Sequence, residues 1–380
     1  MKKPAKRNYA LEAKAVTREF PAPRLPYQPG RTRRYRPRIG LIGCGGITEN
    51  HLKAYRAGGW DVVAFCDILE AAARQRRDGF NPRADIYTDY HKLLERDDVD
   101  VVDIALHPEP RAAAIEAALK AGKHVLSQKP FVLDLDVGER LVALADKHKR
   151  KLAVNQNGRF APYVSYIDQA IRAKLIGEVQ SVSMSLNWDH TWIKGTPFDS
   201  MHHVVLYDFA IHWFDMCALF FRGRRALSVF AGNAFAPGQE LKPPMLGNAA
   251  IVFEGGTATL NFDAHSRFGP EEAFNITGTA GTLRARGPVC GAHDLTLFTR
   301  RGFARPALEG KWFNDGFRGA MAELLCAIEA GREPTNSARE NLGSLAISFA
   351  AVKSADTGRA QTPGQVRRVT TAPGTTKAGR

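Results

Sequence analysis

The segment Arg38-Ile-Gly-Leu-Ile-Gly-Cys-Gly-Gly-Ile-Thr48 runs a short apolar strand into glycines and then into a helical pattern that starts near Ile47. Gly43 and Gly45 hold the first two glycine positions of a dinucleotide fingerprint. The first permits a tight strand-to-helix turn, and the second lets a pyrophosphate approach the backbone, where a helix N-terminus offers free N–H groups. Thr48 stands at the third glycine position, so helix and strand pack less closely. A second strand, Trp60-Asp-Val-Val-Ala-Phe-Cys-Asp67, ends in an acid 24 residues after Gly43, near the spacing of a carboxylate that binds ribose hydroxyls. Ile68 follows it with no adjacent arginine for a 2′-phosphate, which favours NAD over NADP. The competing reading of Asp67 is a helix cap.

Three further stretches carry polar chemistry. Gly122-Lys-His-Val-Leu-Ser-Gln-Lys-Pro130 delivers Lys129 to the carboxyl edge of a strand. Asn155-Gln-Asn-Gly-Arg-Phe160 ends the next strand with amides and a guanidinium. In Asp208-Phe-Ala-Ile-His212, the acid and the imidazole are four residues apart, which on a helix puts them on one face. A solvated strand-end lysine and a surface helix pair are the structural alternatives.

The elements that must position these residues read as an α/β chain. Strands are expected at 38–43, 60–67, 85–87, 99–106, 124–128 and 151–155, with helices near 47–57, 68–78, 89–96, 109–121 and 134–149. That alternation predicts a doubly wound Rossmann unit over 37–158, with ligands at the carboxyl ends of the strands. A helix near 163–175 is followed by alternating strands at 179–188, 225–233, 248–254, 257–265 and 272–277. They are interrupted by a helix near 203–221 and followed by helices at about 316–331 and 337–357. This predicts an α+β substrate-binding and oligomerisation unit over 159–362, with an open, mostly antiparallel sheet. Residues 1–36 read as a basic, proline-punctuated arm and 363–380 as a flexible basic tail.

With these motifs in order, the sequence resembles the glucose–fructose oxidoreductase / inositol dehydrogenase family, Gfo/Idh/MocA, from about Arg38 to about Thr362. Its glycine fingerprint matches Gly43-Cys-Gly-Gly-Ile, its Glu-Lys-Pro motif matches Gln128-Lys129-Pro130, and its Asp-x-x-x-His helix motif matches Asp208 and His212. Ile276-Thr-Gly-Thr-Ala-Gly-Thr-Leu283 and Ser354-Ala-Asp-Thr-Gly358 are also typical of it. The resemblance implies a nicotinamide cofactor and hydride transfer at a secondary alcohol of a sugar or cyclitol. It implies Lys129, Asp208 and His212 as catalytic residues. It implies cofactor contacts from Gly43, Gly45, Gly46, Ile47, Asp67, His107, Gln128, Lys129 and Asn157. Alcohol oxidation needs a base for the hydroxyl proton and a cation near the developing alkoxide, and histidine and lysine suit those tasks.

The sequence departs from the family at Gln128, where a glutamate is usual, at His107 and Arg111, and at His203-Val204, which replace glycines. Substrate contacts are expected from Arg159, Trp188, Trp192, His203 and Asp208. Tryptophan faces stack on a sugar ring while His and Asp bond its hydroxyls. Ordinary packing is the alternative for each, and for Arg159, Arg111 and Lys194 it is a solvated surface position. His190, His202, His203 and His212 match no trusted zinc spacing, so no metal is expected. Two other functions stay open. One is an NAD-dependent glycoside hydrolase working through transient C3 oxidation, elimination and hydration, possible for an anionic sugar and using His203 as the extra acid/base. The other is a non-catalytic NAD-binding sensor.

Charge narrows the partners. The net charge is +14, but residues 1–38 hold 12 basic and 2 acidic side chains and 351–380 hold 6 and 1, leaving the body near neutrality. No nucleic-acid groove is indicated. No apolar run spans a bilayer, there is no signal-peptide core, and five scattered cysteines fit a reducing compartment, so a cytoplasmic enzyme without membrane contact is expected. The expected assembly is a homodimer or homotetramer, with the arm wrapping a neighbour and the sheet face covered.

Overall fold

The computed structural model describes residues 17–370. Its first part runs through β1 (Arg38–Ile42), α1 (Thr48–Gly58), β2 (Asp61–Cys66), α2 (Glu70–Phe80), β3 (Asp85–Tyr87), α3 (Tyr90–Leu94), β4 (Val101–Ile104), α4 (Pro108–Lys120), β5 (His124–Ser127), α5 (Leu135–Lys147) and β6 (Leu152–Val154). The six strands are all parallel, in the order β3-β2-β1-β4-β5-β6. That is the doubly wound order, with its switch point between β1 and β4. β4 is buried at every residue because helices cover both faces of the sheet, which is why its sequence reads as a continuous run rather than an alternation.

The second part contains α6 (Pro162–Arg172), β7 (Val179–Asn187), a π-helical turn (Val205–Phe209), α7 (Ile211–Phe220), β8 (Ala226–Ala234), β9 (Leu246–Phe253), β10 (Gly256–Asp263), β11 (Glu271–Gly278), β12 (Gly281–Gly287), β13 (Asp294–Thr299), β14 (Gly302–Ala304), α8 (Trp312–Glu329) and α9 (Ala338–Thr357). The strands form one sheet, β14-β13-β12-β11-β7-β10-β9-β8, antiparallel except where β7 pairs with β10. In β9 every second residue is buried, so one face meets the core and the other stays open. β12–β14 lie outside the expected strand set. They are short, and β12 buries only Leu283 and Ala285, too little alternation to read.

The helix expected over 203–221 is two pieces. A π-helical turn carries Asp208 and meets α7 at Ala210–Ile211, so the two candidate catalytic residues straddle a change of helical pitch. α8 returns to the first sheet. Phe317, Met321, Leu324 and Leu325 join Ile39, Leu41, Leu52 and Phe65 in one apolar cluster between that sheet, α1 and α8. α9 lies against α5, α7 and β8.

Residues 17–36 lie on their own chain rather than reaching away from it. Phe20 N–H donates to the Phe303 carbonyl, and the Tyr166 hydroxyl donates to Pro23. The Glu329 carboxylate accepts N–H groups of Arg33, Arg34 and Tyr35, which draw its pKa down to about 2. Residues 1–16, the start of the expected arm, are outside the described residues. The tail expected to be loose from 363 is held as far as 370: Arg367 pairs with Asp136 and Glu139, and Arg368 with Asp134, at the start of α5. Acids at a helix N-terminus attract these arginines in turn. Among the described residues no helix is long and apolar enough to cross a membrane, and all five cysteines are free.

Candidate active site

The glycine loop after β1 turns at Gly43, whose φ of +90° and tight contact with the Ala105 backbone leave no room for a Cβ. Gly45 and Gly46 face open space, where an added Cβ would meet nothing within 4 Å. Hydrogen bonding of α1 begins with Thr48 N–H to Gly45 and Glu49 N–H to Gly46, so the N–H groups of Gly45, Gly46 and Ile47 find no acceptor among the described residues. Free donors, open space and the positive end of α1 fit a pyrophosphate. Asp67 stands beside this loop. Its Oδ2 accepts Cys44 N–H at 2.8 Å and its Oδ1 accepts Leu69 N–H at 2.9 Å, a local turn ahead of α2, whose N-cap is Leu69, so Asp67 is not the helix cap of the alternative reading. Each oxygen keeps a lone pair for a ribose hydroxyl.

Behind the loop lies a buried polar chain. His51 contacts Asp103 through Nδ1 at 2.6 Å, and its Nε2 meets the amides of Gln128 (3.1 Å) and Asn155 (3.2 Å). With Nδ1 carrying the proton toward Asp103, Nε2 accepts from both amides. Gln128 Oε1 in turn accepts Lys129 N–H at 2.7 Å. A glutamine therefore suits this position as a donor to His51, which a carboxylate could not be. Buried Arg111 donates to the carbonyls of Leu106 and Pro130, bracing the stretches that carry His107 and Lys129.

Lys129 Nζ lies 3.0 Å from Asp208 Oδ2 and 2.9 Å from the Asp208 carbonyl oxygen. The sheet edge and the π-helical turn thus meet in one ion pair, with little of either side chain exposed. An ammonium has three hydrogens, so one remains for another oxygen. Burial and the charge of Lys129 hold the His212 imidazole well below its ordinary pKa, so it is neutral, and its Nδ1 is buried without a partner. Its ring packs edge-on against Trp312, centroids 5.4 Å apart. Asn157, expected at the cofactor, accepts the Trp312 indole N–H at 2.8 Å and so fixes that wall.

An aromatic wall completes the cleft. His190 contacts Trp188, Trp192 and Phe209, while Trp192 and His107 each face Phe198. His190 accepts the Trp192 indole N–H on Nδ1, its buried Nε2 has no partner, and burial with the nearby Lys129 charge pushes its pKa down to about 3. Burial pushes the Cys290 thiol well up, and its backbone sits at a φ of +57°. His190 and Trp312 were not among the expected site residues. The Trp-x-His-x-Trp spacing at the end of β7 was the one available signal.

Two expected substrate residues lie elsewhere. Arg159 is buried and spends its guanidinium on Asp215, at 2.7 Å through Nη2, and on the Thr335 carbonyl, which removes it from substrate binding. The partner acid, 56 residues away, gave no local signal. His203 bonds Asp356 and Asn233 instead of the Lys129 cluster. Lys194 pairs with Glu240 at the surface.

Comparison with known proteins bears on the family and the fold. Residues 37–156 match the family described as "Oxidoreductase family, NAD-binding Rossmann fold", and residues 164–284 match the "GFO/IDH/MocA C-terminal domain". The chain is 27% identical over 339 residues to D-apiose dehydrogenase of Paraburkholderia graminis, covering 84% of this chain and 88% of that enzyme. It is also 27% identical over 335 residues to inositol 2-dehydrogenase of Rhizobium meliloti, covering 83% and 96%. An oxidoreductase from Agrobacterium radiobacter, solved with NAD+, L-tartaric acid and magnesium, shares the fold with a TM-score of 0.77 at 22% identity, over 87% of this chain and 99% of that one.

Proposed function

The chain belongs to the GFO/IDH/MocA oxidoreductase family and carries its NAD-binding Rossmann unit, and from that premise we propose that it is an NAD-dependent dehydrogenase or reductase acting on a secondary hydroxyl of a sugar, glycoside or cyclitol. The observation that carries this reading is the Lys129 ammonium clamped by Asp208 beside a neutral His212. NAD, when bound, supplies the hydride acceptor. Gly43, Gly45, Gly46, Ile47 and Asp67 would hold its phosphates and ribose. The neutral imidazole of His212 takes the proton of the substrate hydroxyl. The remaining N–H of Lys129 donates to that oxygen as charge develops on it, and Asp208 keeps the ammonium aimed. Nε2 of His190 bonds a neighbouring hydroxyl, and Trp188 and Trp192 stack on the apolar face of the ring.

The assembly we propose is a cytoplasmic homodimer or homotetramer joined through the open sheet face, where Phe230 and Val252 are exposed. The deciding experiment presents cyclitols, hexoses, pentoses and p-nitrophenyl glycosides with NAD and follows NADH absorbance. NADH accumulating with one class supports the dehydrogenase reading. Nitrophenol release without net NADH would replace it with the C3-oxidising glycosidase, whose extra acid/base would then have to be a group other than His203. Bound NAD with no turnover of any substrate would favour the sensor.

A further inference from the structure

His202 and His203 form the turn that leads into the π-helical segment, and both side chains reach Asp356 near the end of α9. His202 Nε2 lies 2.9 Å and His203 Nε2 2.7 Å from the same oxygen, Asp356 Oδ1. The two rings are 3.8 Å apart at their centroids. One donor atom from each of the three residues falls within 4.8 Å of the other two. His203 holds this place at a φ of +48°, a left-handed conformation in which glycine or asparagine would rest more easily than a bulky side chain. Its ring is buried, and its Nδ1 meets the Asn233 side-chain amide. The proposed hydride transfer uses none of these groups.

We propose that His202, His203 and Asp356 bind a divalent transition-metal ion of the zinc type. Two imidazole nitrogens and one carboxylate oxygen form a mixed donor set that suits zinc, cobalt or nickel, whereas magnesium and calcium favour oxygen alone. Tetrahedral bonds of roughly 2.0–2.2 Å place ligand atoms about 3.3 Å apart, so the cluster opens by a few tenths of an ångström to take the ion. Asp356 is free to move by that much, since 34% of its side chain is exposed, and the same exposure admits the ion and a water as fourth ligand. The Asn233 amide nitrogen lies against His203 Nδ1, and on metal binding its amide flips so that its carbonyl oxygen accepts Nδ1–H and fixes the tautomer that presents Nε2 to the metal. The third ligand lies 153 residues after His203, which is why the histidine spacing alone gave no zinc pattern. The ion joins the start of the segment that carries Asp208 to the end of α9, so loading stiffens the approach to the catalytic turn.

The test uses the untagged full chain, dialysed against a chelator and then titrated with Zn2+ in competition with a chromophoric chelator. One ion per chain is expected, together with intense visible bands when Co2+ replaces zinc and a melting temperature that rises with zinc. His202→Ala, Asp356→Asn and His203→Gly should each weaken binding by about tenfold or more. Glycine fits the left-handed backbone at 203, so that variant keeps its fold. Fewer than half an equivalent bound, or wild-type affinity in all three variants, overturns the proposal. Either result leaves the NADH assay of the oxidoreductase reading untouched.

Discussion

At the glycine loop, the groups that the proposed function assigns to the cofactor are unpartnered backbone N–H groups of three consecutive residues, Gly45, Gly46 and Ile47. Around Lys129 the groups are side chains drawn from residues 190, 208, 212 and 312, brought together from distant segments. The first region asks of its sequence mainly that nothing intrude. The second asks for particular atoms at particular places. A backbone site is therefore written in one short stretch of chain, whereas a side-chain site exists only once the tertiary fold has closed.

Substitutions can separate the two regions. The largest effect is expected from Lys129→Ala, which removes the cation at the reacting oxygen. Steady-state kinetics should show kcat lower by about 10²–10³-fold, with NAD affinity held because the glycine loop is untouched. Equal losses in kcat and in NAD affinity would mean that the two regions are not separable. Gly45→Val should do the reverse. The added side chain meets nothing in the protein, so the melting temperature should hold, while NAD binding by fluorescence titration weakens by about 1–3 kcal/mol as pyrophosphate hydrogen bonds are lost. His190→Leu keeps the wall apolar but deletes the unpartnered Nε2. A loss of about 0.5–1.5 kcal/mol in kcat/KM, with NADH affinity unchanged, would place His190 on the substrate side.

Acid reads on stability rather than on either region alone. His190 and His212 are both held below the unfolded value near 6.5. The unfolded chain therefore binds more protons as pH drops. Their contribution to stability is complete above pH 6.5 and declines as pH falls below it. Urea midpoints measured from pH 7.5 to 4.5 should fall, and the slope should flatten in His190→Gln. His124, pushed down to about 4 by burial and by Arg150 and Lys151, adds a fall of the same sign away from the cleft.

The same contrast explains what could be read from sequence. The Rossmann strands, the glycine loop and Asp67 lie in short contiguous signals, whereas the roles of Lys129, Asp208 and His212 rested on the family resemblance of two motifs, and the meeting of Lys129 with Asp208 across 79 residues belongs to the fold. Arg159 was misplaced because its partner Asp215 lies on α7. Asp103 looked like one residue of an apolar strand, and only the fold shows it fully buried against His51. Trp312 lies at a helix start, where no periodicity marks its side chain as packing against His212. The π-helical turn is equally silent, because its apolar residues fit an ordinary helical pattern.

The return of α8 to the first sheet has a consequence for synthesis. When the ribosome has made β6, all six strands of that sheet exist, yet the face formed by Ile39, Leu41 and Phe65 still lacks Phe317, Met321 and Leu324. At about 5–20 residues per second, the covering helix follows roughly 10–30 seconds later. Through that interval the nascent sheet carries an uncovered apolar flank, and a fragment ending near residue 158 would carry it permanently. The nucleotide-binding half is thus a module in evolution and topology but not in folding: its last wall is among the final pieces translated.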